Sequence, residues 1–270
     1  MFQGAPRWGK LGEQNQVDLA GGNALFDGLF GASGFPSSGE TCEYNADSLI
    51  SPVPRPNKVI CVGKNYADHA SEMGSGAPEL PIIFSKFSSA VVGPNCPVEI
   101  PAIATQVDYE AELVVVIGKP GKNIPRLNAL GHVLGYTCGN DVSARDWQKG
   151  RPGGQWLLGK TFDSFAPVGP WLVTADEIEN PHELDVSLTL NGEKMQSAST
   201  SSMLYPVDQL ISHCSQFFTL EFGDLIFTGT PAGVGAGRNP PVFLKAGDET
   251  CVSISKLGDL KTRFVAPADL

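Results

Sequence analysis

Short apolar runs and strict alternation dominate the hydrophobic pattern of this chain. Residues 184–191 set Leu184, Val186, Leu188 and Leu190 against polar neighbours and then meet Asn191-Gly192, as a half-buried strand does when it enters a tight hairpin. Residues 107–118 predict the strongest strand, because Val114, Val115, Val116 and Ile117 follow one another before Gly118. Further strands are predicted at 58–62, 81–84 and 225–228. A helical period is clear at 207–218, where apolar residues fall at 207, 210, 211, 214, 217 and 218. Residues 129–136 fit a short helix or a strand. Strand and helix do not alternate regularly, so the pattern predicts an α+β fold with a β-rich core and few short helices, not a Rossmann sheet.

The first fifty residues break this pattern. Gly21, Gly22, Gly28, Gly31, Gly34 and Gly39 interrupt short apolar pieces, and Pro52, Pro54 and Pro56 then space an extended linker. The expected division is a small, loop-rich N-terminal region with its linker over 1–54 and a main domain over 55–270. A hydrophobic content of 41% is enough for a packed core. The formal charge of −10 argues against nucleic-acid binding. No apolar run reaches the roughly 18 residues of a membrane span, so no membrane partner is expected. The six Cys, at 42, 61, 96, 138, 214 and 251, contain no CxxC pair. That disfavours a zinc cluster and suggests free thiols in a reducing compartment, the cytoplasm or the mitochondrial matrix. The N-terminus shows no secretory signal.

Five stretches carry candidate chemistry. In 107–113, VDYEAEL, side-chain alternation along a strand puts Glu110 and Glu112 on one face with Asp108 beside them. A hard divalent cation would relieve their repulsion; an edge strand with a solvated acidic face fits the same residues. In 138–148, CGNDVSARDWQ, Asp141 offers a third carboxylate, and a helix starting near Val142 would put Arg145 and Gln148 on one face. Arg145 is close enough in sequence to balance Asp141 or Asp146, as in an ordinary capped surface helix. In 62–73, VGKNYADHASEM, a helix would make His69 and Glu72 neighbours at i, i+3, a pair suited to activating water or simply a surface pair. Lys160, in the apolar setting of WLLGKTFD, needs an anionic partner, either substrate or a structural carboxylate. The turn 228–235, TGTPAGVG, offers hydroxyls and N–H groups to an anion but lacks the Lys of a P-loop.

Taken in order, GKNYADHASEMG, VDYEAELVVVIGK, NDVSARDWQ, WLLGKTFD, NGE and TGTPAGVG resemble the fumarylacetoacetate hydrolase superfamily. IIFSKFSSAVVGP, ARDWQ and NPPVFLKAGDE bring the resemblance closest to its domain-containing protein 2 group. It runs from about residue 55 to near the C-terminus and covers little of 1–50. It implies a fumarylacetoacetate hydrolase-type fold, a mixed β-roll or sandwich core, and usually a homodimer. It implies a metal held by Glu110, Glu112 and Asp141: Mg²⁺ or Mn²⁺, with Ca²⁺ an ion that crystals could hold instead, and no organic cofactor. His69 and Glu72 become a dyad on a mobile lid segment and, with Lys160, the catalytic groups; Lys64, Arg145, Gln148 and Thr230 fall at positions near the substrate. Lys64 stands where several hydrolase relatives have Arg. Asp108 has no ligand role by this analogy and is expected behind the ligands or against metal-bound water. The expected chemistry is that of a small 2-oxo acid reacting through a metal-bound enolate, with hydrolysis of the C–C bond of an acylpyruvate first. Oxaloacetate keto–enol tautomerisation (associated with the domain-containing protein 2 group), decarboxylation, and isomerisation of an unsaturated 2-oxo diacid are the alternatives. A non-catalytic metal-binding scaffold is the reading from another class.

Overall fold

The computed structural model describes residues 7–12, 16–20 and 37–267. The chain divides into two compact units, Met1–Ile50 and Ser51–Leu270.

In the first unit, strands β1 (Gly9–Leu11), β2 (Gln16–Ala20) and β3 (Ser37–Glu43) form an antiparallel sheet in that order. Residues expected as loop thus include a seven-residue strand, SSGETCE, whose polar side chains are mostly exposed. Its Cys42 and Thr41 pair with Val17 and Asp18 of β2, so pairing with a neighbour decides the conformation here, not burial. Glycines 21, 22, 28, 31 and 34 lie outside the described residues.

The second unit is built on two larger sheets. Its further strands are β4 (Val59–Gly63), β5 (Ile82–Lys86), β6 (Val91–Val92), β7 (Val98–Glu99), β8 (Val107–Asp108), β9 (Ala111–Ile117), β10 (Val133–Asn140), β11 (Ser143–Ala144) and β12 (Ala166–Thr174). They continue with β13 (Asp185–Leu190), β14 (Glu193–Ser199), β15 (Leu225–Phe227), β16 (Glu249–Ile254) and β17 (Gly258–Val265). A seven-stranded mixed sheet runs β5-β4-β15-β9-β10-β12-β6, and a five-stranded sheet runs β14-β13-β16-β17-β7. β13 and β16 pack over β9, and β17 over β12, so the core lies between the sheets. This is the β-rich α+β fold expected, with α-helices only at Ala67–Glu72 (α1), Arg145–Gln148 (α2), Trp156–Lys160 (α3) and Val207–Phe217 (α4) among the described residues. α4 buries Val207, Leu210, Ile211 and Cys214 against the unit's own core, which accounts for its helical period.

Three elements depart from the sequence pattern. The strand expected over 107–118 is broken at Tyr109-Glu110. Side chains replace the ladder there: Glu110 N–H donates to Asn140 Oδ1 at 2.9 Å and Ala111 N–H to Gln196 Oε1 at 2.9 Å. The helix expected from Val142 begins at Arg145, because Ser143 and Ala144 first pair with Asp108 and Val107. The ambiguous stretch at 129–136 is both things: a 3-10 turn over Arg126–His132 runs directly into β10. The hairpin at Asn191-Gly192 forms as read, with φ of 51° and 84°, the left-handed values of a type I′ turn.

A candidate metal-dependent active site

β9 lies in the middle of the seven-stranded sheet and every residue in it is buried. Glu112 is therefore a carboxylate in the core, not part of a solvated edge face. β10 runs antiparallel beside it with Glu112 opposite Gly139 and Ala111 opposite Asn140, so the chain leaving β10 delivers Asp141 next to Glu110. Asp141 N–H donates to Glu110 O at 2.9 Å, which fixes that approach. Carboxylate oxygens of Glu110, Glu112 and Asp141 come within 4.8 Å of one another, and all three residues are buried.

Buried carboxylates this close need counter-charge. Lys160 Nζ bridges two of them, at 2.7 Å from Glu110 and 2.8 Å from Asp141. It reaches them because α3 packs directly on α2: a Cβ at Gly159 would stand 2.5 Å from the Gln148 backbone nitrogen. Arg145 adds a 2.6 Å contact to Glu110, and Lys86 a 2.6 Å contact to Asp141. Burial alone would raise the Glu110 carboxyl, but the charges of Lys160 and Arg145 outweigh it and hold Glu110 far below its ordinary range. Glu112 is the opposite case. Burial, with Asp141 and Glu110 as negative neighbours, pushes its carboxyl well above the usual range. Its hydrogen bond is the Gly229 N–H, at 2.8 Å. An all-oxygen donor set with one under-compensated carboxylate suits a hard divalent cation, so these residues fit the metal that the sequence pattern suggested.

His69 and Glu72 form the expected pair on α1, with Nδ1 and Oε2 3.4 Å apart. Burial works against the Glu72 charge, but hydrogen bonds from His69 and from the Gly233 N–H hold its carboxyl below the ordinary value. His69 lines the same pocket as Lys64, Glu110, Glu112, Arg145, Gln148, Lys160 and Thr230. The structure thus brings nine of the ten expected site residues to that pocket or its floor in direct contact with it, and Glu72 behind His69.

Several roles read from sequence change. Arg145 pairs with Asp108 and Glu110, not with Asp141 or Asp146; Asp146 instead accepts from Thr105. Asp108 does not join the carboxylate face. Its oxygens accept from the N–H groups of Gly235 at 2.7 Å and Ala236 at 3.0 Å and from Arg145, so it ties the Gly-rich turn to the site. The break at Tyr109-Glu110 turns it away from Glu112. The TGTPAGVG turn does hold anions through its N–H groups, but they are the protein's own carboxylates Glu112, Glu72 and Asp108. The Thr230 hydroxyl donates to Ala111 O and accepts from Gln196.

Four buried residues of this scaffold were not singled out from sequence. Lys86 donates to three backbone carbonyls, of Val142, Lys160 and Phe165, and forms an ion pair with Asp141. Asn65 binds Tyr205 and Thr228 backbone, which pins the start of α1 beside β15. Asn140 and Gln196 cap the break before β9. A Lys inside IIFSK was the available signal for Lys86, since a cation in a buried strand demands a partner; the amides gave none.

The sequence profile described as fumarylacetoacetate (FAA) hydrolase C-terminal matches residues 58–265. The chain belongs to this family. It is 54% identical over 218 residues to "Oxaloacetate tautomerase FAHD2A, mitochondrial" of Bos taurus, covering 81% of this chain and 69% of that protein. The Dictyostelium discoideum homolog of fumarylacetoacetate hydrolase domain-containing protein 2 is 49% identical over 214 residues, 76% of this chain and 70% of the relative. Among solved structures, fumarylpyruvate hydrolase of Pseudomonas aeruginosa in complex with Mn²⁺ and pyruvate superposes with a TM-score of 0.70 at 37% identity, covering 85% of this chain and 93% of that one. The chain is an enzyme of this family, and the family resemblance read from its motifs holds. Among the described residues no helix is long and apolar enough to cross a membrane.

Proposed function

We propose that this chain interconverts the enol and keto forms of oxaloacetate with the help of a divalent cation, Mg²⁺ or Mn²⁺, held by Glu110, Glu112 and Asp141. The observation that carries this is the buried carboxylate triad set beside the His69–Glu72 pair, in a chain half identical to a relative named as an oxaloacetate tautomerase. Of the reactions considered from the motifs, tautomerisation needs the fewest parts: one proton taken from oxygen and one delivered to carbon, with no attacking water.

The cation, when bound, would supply Lewis-acid polarisation of a 2-oxo oxygen and its neighbouring carboxylate. The protein's own groups do the rest. The Glu72 carboxylate accepts from Nδ1 of His69, a residue that lines the pocket, which leaves Nε2 as the ring nitrogen available for proton exchange. Nε2 is the group for taking up and returning the proton. Lys160 and Arg145 place fixed positive charge where the enolate develops. Phe84 stands 5.1 Å from the Lys160 ammonium and, with Trp156, forms an apolar wall of the pocket. Such a wall limits the water available for competing hydrolysis.

Hydrolysis of an acylpyruvate is the second reading. It is favoured by the Pseudomonas relative, whose structure holds Mn²⁺ and pyruvate, and by a His–Glu pair equally suited to activating water. The bovine relative is named as mitochondrial, and we carry that compartment over to this chain together with a homodimeric state, which light scattering would check.

The test is one assay with Mg²⁺, Mn²⁺ or EDTA on enol-oxaloacetate and on acetylpyruvate, with products resolved by NMR. Metal-dependent conversion of enol to keto without cleavage is expected. Acetate plus pyruvate from acetylpyruvate, with no acceleration of tautomerisation, would transfer the assignment to a C–C hydrolase. In the same assay His69→Ala should lower the rate by roughly 10²–10⁴-fold while metal affinity stays close to the parent's.

A further inference from the structure

The pocket holds more positive charge at its rim than its acidic floor requires. The buried carboxylates Asp108, Glu110, Glu112 and Asp141 face the buried cations Lys86, Arg145 and Lys160. With all four carboxylates ionised that set carries one negative charge in excess, and a divalent cation would leave it one positive charge in excess. A single substrate carboxylate cancels that excess. Lys64 and Lys149 line the same pocket and are not needed for this balance. Among the described residues, neither ammonium has a carboxylate within 4.0 Å. Two cations without anionic partners at one opening repel each other, unless an anion visits.

Lys64 sits at φ 56°, a left-handed conformation that non-glycine residues seldom adopt, at the turn between β4 and α1. Lys149 is the residue that closes α2, one position after Gln148, which also lines the pocket. Partial burial, together with the nearby charges of Arg145 and Lys64, lowers the Lys149 pKa, which agrees with an ammonium held among cations.

We infer that Lys149, with Lys64 beside it, binds the second, distal carboxylate of a dianionic 2-oxo acid and makes the pocket selective for dicarboxylates over monocarboxylates. This rests on the pocket being the substrate site proposed above. Lys149 is a specificity residue on this account: it touches the carboxylate that does not react, so it governs which acid binds and leaves the proton transfer to His69.

The experiment titrates pyruvate, which has one carboxylate, and oxaloacetate, which has two, into the Mg²⁺-loaded protein by calorimetry. The parent, Lys149→Gln and Lys149→Arg are compared; the position is exposed, so these variants keep the fold. Lys149→Gln should weaken oxaloacetate about tenfold, the order expected for one partly desolvated charge pair, and change pyruvate by less than about twofold. Lys149→Arg should restore oxaloacetate binding. Equal weakening of both ligands would reduce Lys149 to a general contributor to the field and overturn the inference, as would no change for either or failure of both to bind the parent. The outcome is separable from the assigned reaction: selective loss of oxaloacetate in a protein that accelerates no tautomerisation would keep the dicarboxylate subsite and discard the tautomerase reading.

Discussion

The two large sheets of this enzyme solve opposite problems. In the five-stranded sheet, β13 and β16 alternate buried and less buried residues, so Val186, Leu188, Val252 and Ile254 point inward and polar neighbours point out. Each residue there gains by being where it is. In the seven-stranded sheet, β9 is buried on both faces, and the chain around it sinks Glu110, Glu112, Asp141, Lys86, Arg145 and Lys160 into the protein. Charge in such a place lowers stability unless it is paired, and pairing does no more than offset the cost of desolvation. The difference separates what holds the fold from what serves the reaction. Apolar residues of both sheets supply the core, and the seven-stranded sheet in addition bears the cost of the buried charges that make up the proposed site.

The largest expected effect breaks the charged side of this comparison at Glu112. Glu112→Gln keeps an oxygen to accept from the Gly229 N–H but removes the charge that a cation needs. Affinity for Mg²⁺ should fall by at least the roughly 100-fold seen for the strongest outer-shell changes, with activity falling alongside. Stability should move the other way. Because burial and its acidic neighbours raise the Glu112 carboxyl above its ordinary 4.5, the folded metal-free protein keeps a proton that the unfolded chain has released. The contribution of Glu112 to the stability of the metal-free parent therefore declines as pH rises above about 4.5, and the variant escapes that decline. Near neutral pH the metal-free variant should melt above the parent, with the gap closing at about pH 4. Calorimetric melting in EDTA across that range checks it; a variant that melts lower at every pH would mean that Glu112 is stabilising in its own right.

Lys160→Met sharpens the same comparison with a smaller effect. It leaves Glu110 and Asp141 with one cation fewer in a dry setting, so the metal-free protein should lose about 3–5 kcal/mol, the usual result of removing one partner of a buried pair. A divalent cation would take over part of that neutralisation, so saturating Mg²⁺ should raise the melting temperature of the variant by more than it raises the parent's. Equal shifts in the two proteins would show that Lys160 and the cation do not share the charge of Glu110 and Asp141.

This division also decides what was legible in the sequence. The hairpin at Asn191-Gly192, the alternation of β13 and the period of α4 are local, and each forms where it was read. Glu110 and Glu112 were legible as a pair by their spacing, and Asp141 by its place in the motif series, because the metal chemistry demands oxygen donors close together. Strand alternation alone put Asp108 beside Glu110 and Glu112, but alternation extends only as far as the strand, and amides from Asn140 and Gln196, 30 and 85 residues away, break it at Tyr109-Glu110; the expectation from the resemblance, Asp108 behind the carboxylates, matches its contact to Arg145. The same distance hid Lys86, which meets Asp141 only once β5 and β10 share a sheet. Arg145 was assigned the wrong carboxylates because the partner nearest in sequence, Asp146, is engaged by Thr105. Counter-ions are chosen in three dimensions, and a chain read in one dimension does not show them.

The smallest expected effect on function tests the apolar side. Leu188 lies in the middle of β13, is fully buried, and pairs across the sheet with Gln196 and Val252. Leu188→Ala removes packing without touching a charged group of the site, so it should cost about 2–5 kcal/mol through lost burial and the cavity left behind. Mg²⁺ affinity and the rate constant at saturating substrate should stay within about twofold of the parent at a temperature where the variant is folded. One route could spoil this independence. Gln196, opposite Leu188, accepts from the Ala111 N–H at the start of β9 and donates to Thr230, so a shift of β14 would reach the floor of the pocket. If Leu188→Ala weakens Mg²⁺ binding by tenfold or more, the two sheets are coupled through Gln196, and the separation of stability from function fails at that residue.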